Sequence, residues 1–133
     1  MTSIENDVII IGGGPAGMSA ALVLGRSRIK TLILNTEQAR NAVTTHSHGF
    51  LTRDGQHPTE MFTLAKQQLL KYPSVTYLKE RAIGLKHNST STGFTLTTKD
   101  ASYHSKRIIL ATGQKDNIDE LGIPGLADVY GKS

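Results

Sequence analysis

The chain has 133 residues, a formal net charge of +4 and no cysteine. This length indicates one domain that is large enough to bury a hydrophobic core, and the lack of cysteine excludes disulfides, thiolate metal sites and cysteine redox chemistry within these residues. Because the sequence has no apolar run of membrane-spanning length and no signal-peptide pattern in its first six residues, we expect a cytoplasmic protein without a membrane partner.

The positive charge does not indicate nucleic-acid binding. The 15 Lys and Arg residues are scattered, never three in a row, and aromatic residues make up only 5% of the chain. Such a composition is poor for stacking against bases. A solvated basic surface beside an anionic cofactor explains the charge better than a nucleic-acid groove.

The N-terminal stretch DVIIIGGGPAG predicts a buried strand followed by a dinucleotide-binding turn. Residues 8–11 are four β-branched residues in a row, too few for a helix and typical of a parallel strand. Gly12, Gly14 and Gly17 have the G-x-G-x-x-G spacing, which allows a tight turn, close approach of a pyrophosphate and packing of the helix on the strand. Pro15 suits the first helical turn, whose free N–H groups favour phosphate.

A helix over residues 18–24 and a second buried strand over residues 30–34 complete a predicted βαβ unit. In this motif a carboxylate at the end of the second strand commonly holds a ribose hydroxyl. Asn35 stands at that position, and Glu37 is the nearest acid. Two interpretations of Glu37 stay open here: a ribose ligand, or a solvated loop acid.

Residues 36–57 form a long segment without a clear hydrophobic period, and such segments are commonly functional or disordered. The segment contains Arg40 and Asn41, followed by His46 and His48. The two histidines have the spacing of metal ligands on a strand, but no third ligand stands nearby, so we predict no metal site. Polar loop histidines, or contacts to a cofactor ring, explain them better.

The rest of the chain predicts one more helix and several strands. A helix is expected from residue 58 to about residue 72, with a third parallel strand over 75–78. Meander strands are expected over 81–87, 93–98 and 101–105, separated by turns at 88–93 and 99–100, and a further buried strand over 106–110. Small residues at 111–113 suit a ligand at the carboxyl end of the sheet, and a turn-rich segment follows.

Four stretches together resemble the FAD domain of the thioredoxin reductase-like flavoproteins: VIIIGGGPAGMSAALVLGR, RNAVTTHSHGFLTRDG, RIILATGQKD and IPGLADVYGKS. The loop pattern is most similar to the small-molecule dithiol oxidases and related bacterial reductases. The resemblance covers nearly the whole chain. It implies an α/β fold, a Rossmann-like FAD-binding domain whose parallel sheet carries a three-stranded antiparallel β-meander.

The resemblance also implies roles for particular residues. At the adenosine half of FAD, residues 35–37 would meet the ribose, and the backbone of Ala82, in the first meander strand, would meet the adenine. Along the flavin side would lie Arg40, Asn41 and the segment 48–50, which begins with His48. The residues implied to cradle the pyrophosphate are Gly12, Gly14, Pro15, Ala16 and Gly17, and those beside FAD at the end of the domain are Thr112 and Gly113.

Family members are more than twice as long as this chain. The resemblance implies that residues 1–113 are the N-terminal part of the FAD domain and that residues 114–133 cross towards a nicotinamide-binding domain with a Cys-x-x-Cys pair. We therefore expect a truncated product, lacking one strand of the FAD sheet beside residues 106–111, where an unpaired edge would be a pairing hazard.

Two functions remain open. The first is the FAD-binding portion of an oxidoreductase that passes electrons between NAD(P)H, FAD and a small-molecule or protein dithiol/disulfide, with a homodimer allowed by the family. The second is an FAD-binding module without turnover of its own, which the lack of cysteine favours. NAD(P) instead of FAD at the glycine turn is the alternative cofactor. No residue of this chain is assigned as catalytic.

Overall fold

One six-stranded sheet organises the molecule, and its elements follow largely the predicted order. The structure is a computed structural model that describes residues 4–89 and 92–132. Its elements in chain order are β1 (Ile4–Ile11), α1 (Pro15–Arg26), β2 (Thr31–Leu34), α2 (Pro58–Leu69), β3 (Val75–Leu78), β4 (Gly84–His87), β5 (Phe94–Thr97), β6 (Ser102–Leu110), a 3₁₀ turn (Ile118–Leu121) and α3 (Leu126–Val129).

The strand order β3-β2-β1-β6-β5-β4 joins a parallel half and an antiparallel half through β6. β6 pairs in parallel with β1 between residues 103 and 110 and antiparallel with β5 through residues 102–105. The prediction of two separate strands over 101–105 and 106–110 was therefore wrong. A single strand can complete the meander on one edge and extend the parallel sheet on the other, so no break is needed between them.

The predicted α/β class, a parallel sheet with an antiparallel meander, is confirmed. After Ser105, one edge of β6 pairs with β1. Within residues 4–89 and 92–132, no strand pairs with the other edge of this half of β6. The predicted turn at 88–93 includes residues 90 and 91, which lie outside the described residues, as do residues 1–3 and Ser133.

The core lies on both faces of the parallel strands. On one face Ile10 and Ile33 are fully buried and pack with Met18 and Ala21 of α1 and Leu69 of α2. On the other face, residues of β1 and β2 pack against β5 and β6, and the buried members are Ile9, Leu32, Leu34, Leu96 and Tyr103. The continuous apolar runs of β1 and β2 follow from this two-sided burial.

The helices differ from prediction at their ends and in number. α2 ends at Leu69, three residues before the predicted end, with Leu70 as its C-cap. Two short helical elements, the 3₁₀ turn and α3, occupy the segment that was predicted only as turn-rich. None of the helices in the described part of the chain is long and apolar enough to cross a membrane.

Candidate functional site

The glycine turn lies at the carboxyl end of β1, between β2 and β6. Gly12 has φ +111°, and a Cβ at this position would collide with the carbonyl oxygen of Ala111. A Cβ on Gly17 would collide with the carbonyl oxygen of Gly12, so helix α1 packs directly on the turn. These two glycines are needed for the fold itself, because backbone atoms cannot move aside as a flexible side chain can.

Gly14 differs from the other two because its surroundings are open. It is the N-cap of α1, makes no side-chain capping hydrogen bond and is exposed, and a Cβ there would have nothing within 4 Å. Pro15 is at the first helical position and Ala16 is exposed, and the first turn carries no acidic residue. The uncapped N–H groups and the positive end of the helix dipole therefore face open space, which suits a diphosphate.

Asn35 forms the β2 side of this turn. Its Cβ and amide group lie 2.6–2.7 Å from where a Cβ on Gly13 would be, so only glycine fits beside it. Its Nδ2 donates a hydrogen bond of 3.0 Å to the hydroxyl of Tyr77 in β3. The side chain is thereby fixed next to the glycine turn, and its contact with a ribose stays a prediction.

Glu37 is the centre of a charged cluster two residues further along. Its Oε1 accepts hydrogen bonds from the Tyr77 hydroxyl at 2.9 Å and from Lys66 Nζ at 3.3 Å, while Oε2 lies 2.8 Å from Lys79 Nζ. The hydrogen bonds from Lys79 and Tyr77 lower the pKa of Glu37 to about 2. Its side chain is 24% exposed, so the carboxylate is partnered yet still accessible.

Arg40 is held by the C-terminal segment. Its guanidinium donates two hydrogen bonds to the carboxylate of Asp116, at 2.6 and 3.0 Å, and the hydroxyl of Tyr130 donates to the same carboxylate. These partners lower the pKa of Asp116. Asn41, the next predicted residue, is exposed in a turn.

His48 is exposed and makes its described contacts within its own loop. Its Nδ1 lies 3.5 Å from Asp54 Oδ1, and its ring stacks with that of His46 at 6.4 Å between centroids. Asp54 also accepts a hydrogen bond from the backbone N–H of Gly49. In the part of the chain that the structure describes, no group of three or more potential metal-ligating side chains is found.

The remaining predicted residues lie at two places. Thr112 is the second residue after β6, and its backbone nitrogen is 3.1 Å from where a Cβ on Gly12 would be, so this residue borders the glycine turn. Gly113 has φ +68° and open surroundings. Ala82 is half-buried against the core but precedes β4, which begins at Gly84, so its predicted place within a strand was wrong.

The structure thus brings the glycine turn, Asn35 and Thr112 together, whereas Arg40 and His48 contact acids elsewhere. The sequence did not point to Tyr77, Lys66 and Lys79, which surround Glu37. These residues lie 29 to 42 positions from Glu37, and no local pattern links them to it.

Three comparisons with known proteins show what this chain is similar to. The family described as "Pyridine nucleotide-disulphide oxidoreductase" matches residues 6–133 of this chain. A probable thioredoxin reductase from Arthroderma benhamiae is 36% identical over 95% of this chain, and a thioredoxin reductase from Claviceps purpurea is 34% identical over 99%. The crystal structure of an oxidoreductase from Agrobacterium tumefaciens superposes with a TM-score of 0.87 and 36% identity over 98% of this chain.

The coverage is unequal in the two directions. This chain spans only 32% of the Arthroderma protein, 41% of the Claviceps protein and 43% of the Agrobacterium chain. The similarity therefore concerns well under half of each of these proteins, and the activity of a complete relative does not transfer directly to these 133 residues.

Proposed function

This chain belongs to the pyridine nucleotide-disulphide oxidoreductase family, in its thioredoxin reductase-like branch, and from that membership we propose that it is the FAD-binding portion of a flavin oxidoreductase. The family expected from the sequence is confirmed. The observation that carries the proposal is the open cradle at Gly14, where the N-terminus of α1 has no side-chain cap and the surroundings are open.

Each part of the cradle would have a separate task. Backbone N–H groups of the first turn of α1 would bind the diphosphate, and Gly14 would let it approach. Asn35 and Glu37, at the end of β2, would orient the adenosine ribose by hydrogen bonds, and Ala82 would offer its backbone to the adenine. Thr112 would line the cofactor from the β6 side.

FAD, when bound, supplies the hydride and electron chemistry, and the protein supplies binding, orientation and electrostatics. In the proposed complete enzyme, electrons pass between NAD(P)H, FAD and a dithiol or disulfide substrate. Arg40, Asn41 and His48 are proposed to lie along the cofactor on its flavin side, and Gly113 is proposed to lie beside FAD with Thr112 at the end of the domain. The division of the chain at residue 113, the homodimer and the cytoplasmic location stay predictions.

A second function is an FAD-binding module without turnover of its own. The lack of cysteine favours it, because no residue of this chain can exchange electrons with a disulfide by thiol chemistry. The two functions differ in their response to NADPH. A yellow chain that NADPH does not bleach supports the module, whereas bleaching with disulfide turnover excludes it.

The shared premise, FAD at the glycine turn, is tested by titrating the chain with FAD and, separately, with NAD and NADP. We expect saturable quenching of flavin fluorescence by the wild-type chain and about tenfold weaker FAD binding by Gly14→Ala, because a methyl group would occupy the cradle without touching the protein. Far-UV circular dichroism of the variant should match the wild type. Binding of NAD or NADP with no binding of FAD would overturn the proposed cofactor.

A further inference from the structure

Glu37 is held in place by three donors that come from separate parts of the fold. Tyr77 belongs to β3, Lys66 to α2, and Lys79 follows β3. All three contact the carboxylate within 3.3 Å. Glu37 itself has φ +60°, a backbone conformation that a residue with a side chain rarely adopts without support from its surroundings. The cluster therefore specifies one position for this carboxylate.

Tyr77 is itself fixed from two sides. The ammonium group of Lys66 lies 4.1 Å from the centroid of its ring, a cation–π contact. The ring of Phe62 meets it edge-on at 6.4 Å between centroids. These two contacts fix the ring, and therefore the position of its hydroxyl, as is needed for a group that orients the side chain next to it.

The hydrogen bonds of the Tyr77 hydroxyl have a definite direction. A phenolic hydroxyl has one proton to donate. Because the amide of Asn35 donates to the hydroxyl oxygen, that proton is directed to Glu37. One hydroxyl therefore links Asn35 and Glu37, the two side chains that border the end of β2.

The Glu37 carboxylate keeps capacity for a further partner. Two carboxylate oxygens offer about four acceptor positions, and the three donors of the cluster occupy three of them. With 24% of its side chain exposed, Glu37 can still accept a bond from a ligand hydroxyl. Lys66 and Lys79 offset its negative charge, which would otherwise oppose an anionic dinucleotide nearby.

From this arrangement we propose that Tyr77 is a positioning residue for the adenosine ribose of the bound dinucleotide, acting through the carboxylate of Glu37. The proposal rests on the FAD-binding function proposed above. Tyr77 does not touch the cofactor in it. It fixes the direction of the carboxylate that does.

The test measures FAD affinity at pH 7 for four forms of the full chain: wild type, Tyr77→Phe, Glu37→Gln and the double variant. Loss of the hydroxyl frees the carboxylate to rotate, so we expect Tyr77→Phe to raise the Kd for FAD about five- to tenfold. Because Tyr77 acts through Glu37, the double variant should bind FAD no more weakly than Glu37→Gln alone. A purely structural role would weaken binding equally in both backgrounds.

Tyr72→Phe is the matched control. The Tyr72 ring is also half-buried against the core, but its hydroxyl has no hydrogen-bond partner among the residues that the structure describes. The Kd of this variant should equal that of the wild type. Thermal melting of every variant without cofactor identifies any that fail to fold.

Three outcomes decide the matter. An unchanged Kd for Tyr77→Phe, or an equal further loss in the Glu37→Gln background, overturns the positioning role while leaving FAD binding intact. A wild-type chain that binds no FAD removes both the proposed function and this inference. The positioning role is supported if Tyr77→Phe weakens FAD binding only in the chain that keeps Glu37, and if Tyr72→Phe leaves the Kd unchanged.

Discussion

Glu37 is the residue whose protonation matters most to the candidate site. In the unfolded chain its pKa is near the ordinary 4.5, whereas hydrogen bonds from Lys79, Tyr77 and Lys66 lower it to about 2 in the fold. Between these two values the unfolded state binds more protons than the folded state. The contribution of Glu37 to stability is therefore present above about pH 4.5 and is lost as the pH falls towards 2.

We predict that acid narrows the stability difference between the wild type and Glu37→Gln. The wild type should be the more stable at pH 7, and its free energy of unfolding should fall more steeply below pH 4.5, since glutamine does not titrate. Urea denaturation at intervals from pH 7 to pH 3 measures this difference. Three other carboxyl groups also have lowered pKa values, those of Asp7, Asp54 and Asp116. Both proteins contain them, so their contributions cancel in the difference between the two free energies of unfolding. A difference that stays constant across this range would contradict the assigned partners.

At the scale of elements, helix α1 combines two functions that one substitution can separate. Its N-terminus lacks both a capping side chain and an acidic residue in the first turn. An acidic residue there would stabilise the helix by about 0.3–1 kcal/mol through its interaction with the positive end of the helix dipole. The same charge would repel a diphosphate bound to the exposed N–H groups.

We therefore predict opposite effects of Ala16→Asp on stability and on ligand binding. The melting temperature of the chain without cofactor should stay level or rise, while the Kd for FAD should increase about tenfold at low ionic strength and less at high salt. Ser19→Asp is the matched control, because it adds the same charge on an exposed position of the same helix but beyond its first turn. Equal weakening by both variants would argue against a phosphate at this N-terminus.

The elements that the sequence predicts well are those defined by local pattern. Short β-branched runs and the glycine turn predict β1, α1, β2 and β3. Each of these patterns lies within about ten residues of sequence. The continuity of β6 could not be found in this way. Its first half pairs with both β5 and β1, its second half pairs with β1 alone, and the pairing with β1 joins residues about 99 positions apart.

The candidate site also contains residues that a local pattern predicts and residues that only contacts distant in sequence bring together. Gly12 and Gly17 are predictable because glycine alone tolerates their backbone contacts, whereas Gly14 is predicted from the G-x-G-x-x-G spacing alone. The Tyr77–Glu37 contact joins residues 40 positions apart, so no local pattern could show that Glu37 is engaged, and its role as a ribose ligand stays a prediction. The structure shows an engaged carboxylate, not a freely solvated one.

At the scale of the whole molecule, the long segment 36–57 and the C-terminal segment 114–132 are joined to each other by polar contacts. The Arg40–Asp116 pair and the Tyr130 hydroxyl form one connection. The hydroxyl of Thr44, which donates to the carbonyl oxygen of Gly131 at 3.4 Å, forms another. The C-terminal helices contain no buried residue, so these contacts replace a hydrophobic core there.

Asp116→Asn is therefore predicted to loosen the C-terminal segment without unfolding the sheet. Arg40 is 56% exposed, and an exposed pair contributes at most about 1 kcal/mol, so the melting temperature should fall by less than about 5 °C. Hydrogen exchange of residues 118–130 should accelerate by up to about fivefold, which corresponds to about 1 kcal/mol, while that of β1 and β2 stays unchanged. Asp119→Asn, an exposed acid of the same segment for which the described residues show no ion pair, should leave both rates as they are. Equal acceleration by the two variants would mean that the loss of charge alone, and not the contact with Arg40, controls how firmly this segment is held. Repeating the experiment with FAD would show whether cofactor binding depends on the Arg40–Asp116 pair.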